Sequence, residues 1–123
     1  MRALVVDDSR AIRTIISRIL KELEFEVLEA GHGQEALDRL GQHGPVDLML
    51  IDWNMPVMDG FQLLCAVRAS SQWTAVPVMM VTTETEMTQM TRALEAGANE
   101  YLMKPFTRDV LRDKLAILGL IPA

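Results

Sequence analysis

The chain has 123 residues, 50% of them hydrophobic and 24% charged, with a net charge of −5, the size and make-up of one globular domain that buries roughly 65% of its unfolded surface. Cys65 is the only cysteine, which excludes an internal disulfide and suits a reducing compartment. The acidic balance argues against a nucleic-acid partner, and no apolar run approaches the roughly 18 residues of a membrane span.

The first apolar run, "ALVVD" (3–7), reads as a strand and ends too early to be a signal peptide. Ile12, Ile15, Ile16, Ile19, Leu20 and Leu23 then recur at helical spacing behind Ser9, a suitable N-cap. Arg10, Arg13, Arg18 and Lys21 make this helix basic, read as a solvated face. "FEVLEA" (25–30) alternates and predicts a more exposed strand at a sheet edge. Ala36, Leu37 and Leu40 mark a second helix, closed by Gly41 and Gly44. "VDLMLID" (46–52) is a third strand, and "WNMPVMDG" (53–60) a loop with turn signals at Pro56 and Asp59-Gly60. Phe61, Leu64, Val67 and Arg68 begin a third helix. Strand "VPVMMVT" (76–82) precedes a fourth helix at Met87, Met90, Ala93 and Leu94, which Gly97 ends. "EYLMK" (100–104) is a fifth strand, and Val110, Leu111, Leu115 and Leu118 give the last helix. Five βα units with short links predict an α/β fold, a parallel five-stranded sheet covered by helices on both faces. The continuous apolar runs at 3–6, 48–51 and 78–81 suit strands buried on both sides.

Ligands of open parallel sheets bind outside the carboxyl ends of the strands. Four predicted strands hand over to polar residues there: Asp7 and Asp8, Asp52, Thr82 and Thr83, and Lys104. Three clustered carboxylates are costly unless neutralised, and hard oxygen donors suit Mg²⁺. Beside such a cation one carboxylate becomes a nucleophile toward a phosphoryl group, with Lys104 and the Thr82 hydroxyl placed to stabilise its oxygens.

The stretches "VVDDS", "DWNMPVMDG", "VMMVTT" and "YLMKPF" resemble the response-regulator receiver domains of two-component signalling, and within them the CheY-type single-domain chemotaxis regulators. The likeness runs from Ala3 to about Leu118. It implies a flavodoxin-like (βα)5 sandwich with strand order 2-1-3-4-5. It implies that Asp52 is the phosphoacceptor of a histidine kinase. One Mg²⁺ per chain is implied, held by Asp8, Asp52 and the backbone carbonyl of Asn54, with Asp7 acting through water. Lys104, Thr82 and Thr83 match the phosphoryl-contacting positions, and Thr82 and Tyr101 the switch pair. A cis Lys104–Pro105 bond is expected. The implied partners are a CheA-like kinase, a target such as a flagellar switch protein, and a phosphatase, for a cytoplasmic monomer that is a switch rather than an enzyme. No output domain is expected after the last helix, so output is expected through binding. One departure stands out: Glu86 and Met87 occupy the start of the fourth helix, where chemotaxis members carry lysines.

Two other readings fit less well. A haloacid-dehalogenase-like phosphatase needs a general acid two residues after its nucleophile, and Asn54 stands there. A flavin carrier needs a phosphate-binding loop after the first strand, where two acids lie. A receiver module of another phosphorelay, or of a larger regulator, remains the nearest alternative. "GHGQEA" (31–36) matches a loose dinucleotide pattern but does not follow the first strand, so Gly31 and Gly33 read as turn residues. His32, His43 and Cys65 lack metal-ligand spacing.

Overall fold

The computed structural model describes residues 1–122, in which five strands alternate with five helices. β1 (Arg2–Val6), β3 (Leu48–Asp52) and β4 (Val78–Thr82) are the continuous apolar runs, and β3 and β4 are buried along their whole length. β2 (Glu26–Ala30) is only partly buried, running from exposed Glu26 to buried Ala30, while β5 (Glu100–Met103) mixes buried and exposed positions. The sheet order is β2-β1-β3-β4-β5 with every neighbouring pair parallel. The weakest strand thus lies at an edge, where only one neighbour and part of one face must be satisfied.

Successive residues of a strand point to opposite faces, so an unbroken apolar run feeds two cores at once. Leu4, Val6, Met49, Ile51, Val78 and Met80 pack on one side, under α2 (Gly33–His43), α3 (Gly60–Ala69) and α4 (Met90–Glu95). Ala3, Val5, Leu48, Leu50, Met79 and Val81 pack on the other, under α1 (Arg10–Glu22) and α5 (Arg108–Ile117). A 3₁₀ turn, Glu86–Gln89, leads into α4.

Helix starts are fixed by caps at the sheet's carboxyl edge. Ser9 Oγ accepts the Ile12 N–H, Thr107 Oγ1 accepts the Val110 N–H, and Asp59 and Gln62 form a reciprocal capping box. His32 caps α2 through Nδ1, which accepts the Glu35 N–H at 3.2 Å.

Several sequence expectations are corrected by packing. Gly41 does not close α2; it is an exposed residue inside it, and the helix ends at Gly44, whose φ of 77° suits glycine. Gly33 is no turn residue: it is buried at the first position of α2 against the Met58 side chain. Ile15, Leu94 and Val110 are 47%, 46% and 42% exposed rather than part of the core. In α1 the buried face centres on Ile16, Ile19 and Leu20, leaving Ile15 on its flank, and Leu111 and Leu115 define the inner face of α5. In α4 the 3₁₀ turn rotates the chain by about 120° per residue instead of 100°. Met90 and Ala93 therefore face inward and Leu94 does not.

Candidate functional site

β1 carries the chain to the sheet edge and Asp7 stays tied to the sheet, its N–H donating to the Ala30 carbonyl at 3.1 Å. The Asp7 side chain is buried; Oδ1 accepts the Ser9 N–H at 2.8 Å. Asp8, one residue on, is exposed. Asp52 is the last residue of β3 and is 4% exposed. One carboxylate oxygen from each of Asp7, Asp8 and Asp52 lies within 4.8 Å of the others, a grouping that could hold a metal ion.

Lys104 follows β5 and enters this cluster from the far side of β4. Its backbone N–H donates to the Thr82 carbonyl at 2.7 Å, and the peptide bond to Pro105 is cis. Its Nζ lies 2.9 Å from Asp52 Oδ1 and 3.3 Å from Asp7 Oδ2. Burial, opposed by the Lys104 contact and reinforced by the charges of Asp7 and Asp8, pushes the Asp52 carboxyl up to about 7. Burial pulls the Lys104 ammonium downward, but its bonds to Asp52 and Asp7 outweigh that, and its pKa is raised. Lys104 is therefore a fixed positive charge, whereas Asp52 shares its proton with solvent near neutrality.

Thr82, fully buried at the end of β4, is not bonded to this group. Its hydroxyl is directed at the Thr83 carbonyl (3.2 Å) and at Glu86 Oε1 (3.4 Å). Thr83 is exposed, and its N–H donates to the same Glu86 oxygen at 3.0 Å. Asn54 is exposed in the loop after β3. That loop folds back tightly: the Gly60 N–H donates to the Trp53 carbonyl at 2.8 Å, and a Cβ on Gly60 would collide with the Asp52 carbonyl oxygen. Glycine at this position lets α3 begin directly against the strand end that presents Asp52. Trp53 is buried, its ring 5.9 Å from Phe61, with the Arg92 guanidinium 4.0 Å from the Phe61 ring centroid. Tyr101 is half-buried on the α4 side, its ring 3.9 Å beneath Lys114 Nζ.

Two contacts escape sequence reasoning, those of Arg13 with Asp7 and of Glu86 with Thr82. Arg13, read as part of a solvated basic face, donates from Nη1 to the Asp7 carbonyl at 2.6 Å and pairs with Glu29 at 3.3 Å. Glu86 lies four residues from Thr82, a spacing that carries no motif. His32, His43 and Cys65 are all exposed, and among the described residues they form no metal-capable group with a third ligand.

Comparison with known proteins settles what this edge belongs to. The sequence model described as the response regulator receiver domain matches residues 3–116. The chain belongs to the receiver family. This receiver is 44% identical over 119 residues to the chemotaxis protein CheY1 of Helicobacter pylori, covering 96% of each chain. It is 47% identical over 121 residues to the CheY homolog of Campylobacter jejuni, covering 97% of this chain and 93% of that one. Among solved structures, the chemotaxis protein CheY4 of Vibrio cholerae superposes with a TM-score of 0.86 at 36% identity over 98% of both chains. The receiver fold, its strand order and its CheY-like character are thus established. No helix among the described residues is long and apolar enough to cross a membrane.

Proposed function

We propose that this receiver takes a phosphoryl group from the phosphohistidine of a CheA-like kinase onto Asp52 and works in chemotaxis signalling in the cytoplasm. The observation that carries it is the placement of Asp52: buried at the end of β3, bonded to Lys104 on one oxygen, with Asp7 and Asp8 alongside. A carboxylate oxygen of Asp52 attacks phosphorus, the phosphorus–nitrogen bond breaks, and the imidazole leaves with the electron pair, giving an aspartyl phosphate. Lys104 Nζ, already at the acceptor, neutralises a phosphoryl oxygen and holds it in line. The Thr82 hydroxyl, one residue beyond the β4 partner of Asp52, turns toward the new group.

The grouped carboxylates of Asp7, Asp8 and Asp52 suit a hard cation such as Mg²⁺, one per chain; Asp8, Asp52 and the Asn54 carbonyl would hold it directly and Asp7 through water. When bound, the cation supplies the positive charge that lets these carboxylates stay ionised together and that offsets the charge of the arriving phosphoryl group. Asp7 is already held by Lys104 and the Ser9 N–H, which suits an orienting role better than a direct one. The chain acts as a switch whose own residues catalyse phosphotransfer and later hydrolysis. Its output is binding of a target such as a flagellar switch protein, and a separate phosphatase fits the same scheme. Incubation with acetyl phosphate and Mg²⁺ tests the assignment. The protein gains one phosphoryl group by mass and Asp52→Asn gains none; labelling of the variant at full level, or undiminished labelling in excess chelator, overturns it.

A further inference from the structure

Glu86 opens the 3₁₀ turn before α4 and folds its carboxylate back over the end of β4. Oε1 accepts the Thr83 backbone N–H at 3.0 Å and lies 3.4 Å from the Thr82 hydroxyl. The backbone reciprocates, with the Glu86 and Met87 N–H groups donating to the Thr83 carbonyl at 3.1 Å each. An acid that reaches back three residues to a backbone N–H is half of a capping box, and on its own it does no more than fix a helix start. The second contact goes beyond capping. Thr82 is fully buried, and its hydroxyl carries one proton. While that proton is directed at Glu86 or the Thr83 carbonyl, it is unavailable to any group on Asp52.

We propose that Glu86 is a positioning residue that holds the Thr82 hydroxyl away from the acceptor site, so that a phosphoryl oxygen on Asp52 must displace it. The inference rests on Asp52 being the acceptor and Thr82 the hydroxyl it draws. Glu86 and the phosphoryl oxygen compete for one proton, and both are anionic acceptors of comparable strength. When Thr82 turns inward, Glu86 loses one of its two bonds at the end of β4. The event is thereby passed into the 3₁₀ turn and so to the start of α4. This device belongs to the residue that stands where chemotaxis relatives are expected to carry a lysine, so it tunes this chain's switch rather than creating the site.

The test is the affinity for beryllofluoride with Mg²⁺, read by amide shifts and Trp53 fluorescence. The proteins are wild type, Glu86→Ala, Glu86→Gln, Thr82→Val and the Glu86→Ala/Thr82→Val double variant. Glu86→Ala should bind about fivefold more tightly, the worth of one competing hydrogen bond. Glu86→Gln, which keeps a neutral acceptor and the backbone cap, should fall between. In the Thr82→Val background, Glu86→Ala should change nothing. Tightening that survives in that background means Glu86 acts through charge or helix start, and overturns the proposal. So does unchanged or weaker binding by both Glu86→Ala and Glu86→Gln. Failure of the wild type to bind the mimic, or binding that persists in Asp52→Asn, overturns the acceptor assignment itself and the proposal with it.

Discussion

A buried carboxyl that holds its proton to about pH 7 is unstable in a specific direction. In the unfolded chain Asp52 loses its proton near 3.8; in the fold it keeps it to about 7. Between those values the folded state binds more protons than the unfolded one, so stability falls as pH rises through that window. Three pKa units correspond to at most about 4 kcal/mol. In chelator, the contribution of this residue to wild-type stability should therefore be greatest at and below about pH 4, decline from there to about pH 7, and be lowest above it. Asp52→Asn should flatten the slope and raise the denaturation midpoint at pH 8, while Lys104 keeps an amide oxygen as acceptor. A steeper slope in the variant would show that another group controls it. Asp8 behaves differently. Charge crowding alone would make its removal stabilising, but it is exposed and the weakest of the influences on Asp52. Asp8→Ala should shift unfolding by no more than about 0.5 kcal/mol, yet abolish the Mg²⁺ response of Trp53 fluorescence. Loss of several kcal/mol would assign it a structural role instead.

Two turns place side chains in backbone conformations that favour glycine. Just past the end of α1, Glu24 lies at φ 70°, and the Glu24 and Phe25 N–H groups donate to the Lys21 and Leu20 carbonyls, the Schellman pattern. In the loop after β3, Val57 at φ 68° is the centre of a tight turn closed by the Met58 N–H on the Pro56 carbonyl at 2.8 Å, and its side chain is fully exposed. A β-branched residue in that turn is strained. Glu24→Gly and Val57→Gly should each raise stability by about 1 kcal/mol in chemical denaturation; a loss at Val57 would mean its side chain is held by contacts worth more than the strain. Neither strain is visible in the sequence, because positive φ leaves no mark when the residue is not glycine. The elements themselves are legible for a physical reason. Strands fed from both faces must be apolar throughout, which made 48–51 and 78–81 unambiguous, and polar residues follow them because the sheet edge meets water. The strand-end trio and Lys104 could be read from that rule alone. Contacts made by long side chains folding back across turns, such as Arg13 to the Asp7 carbonyl and Glu86 to Thr82, could not, since their spacing matches ordinary helix surface. The 3₁₀ start of α4, which turned Leu94 outward, was hidden for the same reason: the periodicity looked helical from Met87 onward.

Across the molecule, the site and the α4–β5–α5 face are joined through the two ends of β4 and β5. Thr82 leads into Glu86 and α4, and Lys104 directly follows the strand that carries Tyr101. Met80 is the register partner of Tyr101, and the ring packs on the same side of the sheet as Met87 and Met90. From outside, Lys114 of α5 lies over that ring at 3.9 Å while its Nζ bonds Glu100 at 2.9 Å, so the ammonium is fixed from two directions. A cation over a partly exposed tyrosine face is worth about 0.5–1 kcal/mol. The contact therefore favours the half-exposed ring seen here; on the proposal that Thr82 turns toward a phosphorylated Asp52 and the Tyr101 ring follows inward, the contact would be lost. Lys114→Met, which keeps most of the aliphatic stem but not the charge, should shift the balance toward the inward ring and tighten beryllofluoride binding about two- to fivefold. In the same experiment wild-type amide shifts should move at residues 84–94 and 101–107 as well as around Asp52. If Lys114→Met leaves the affinity unchanged and those two segments stay silent, the site binds its phosphoryl mimic without coupling to this face, and output must leave the molecule elsewhere.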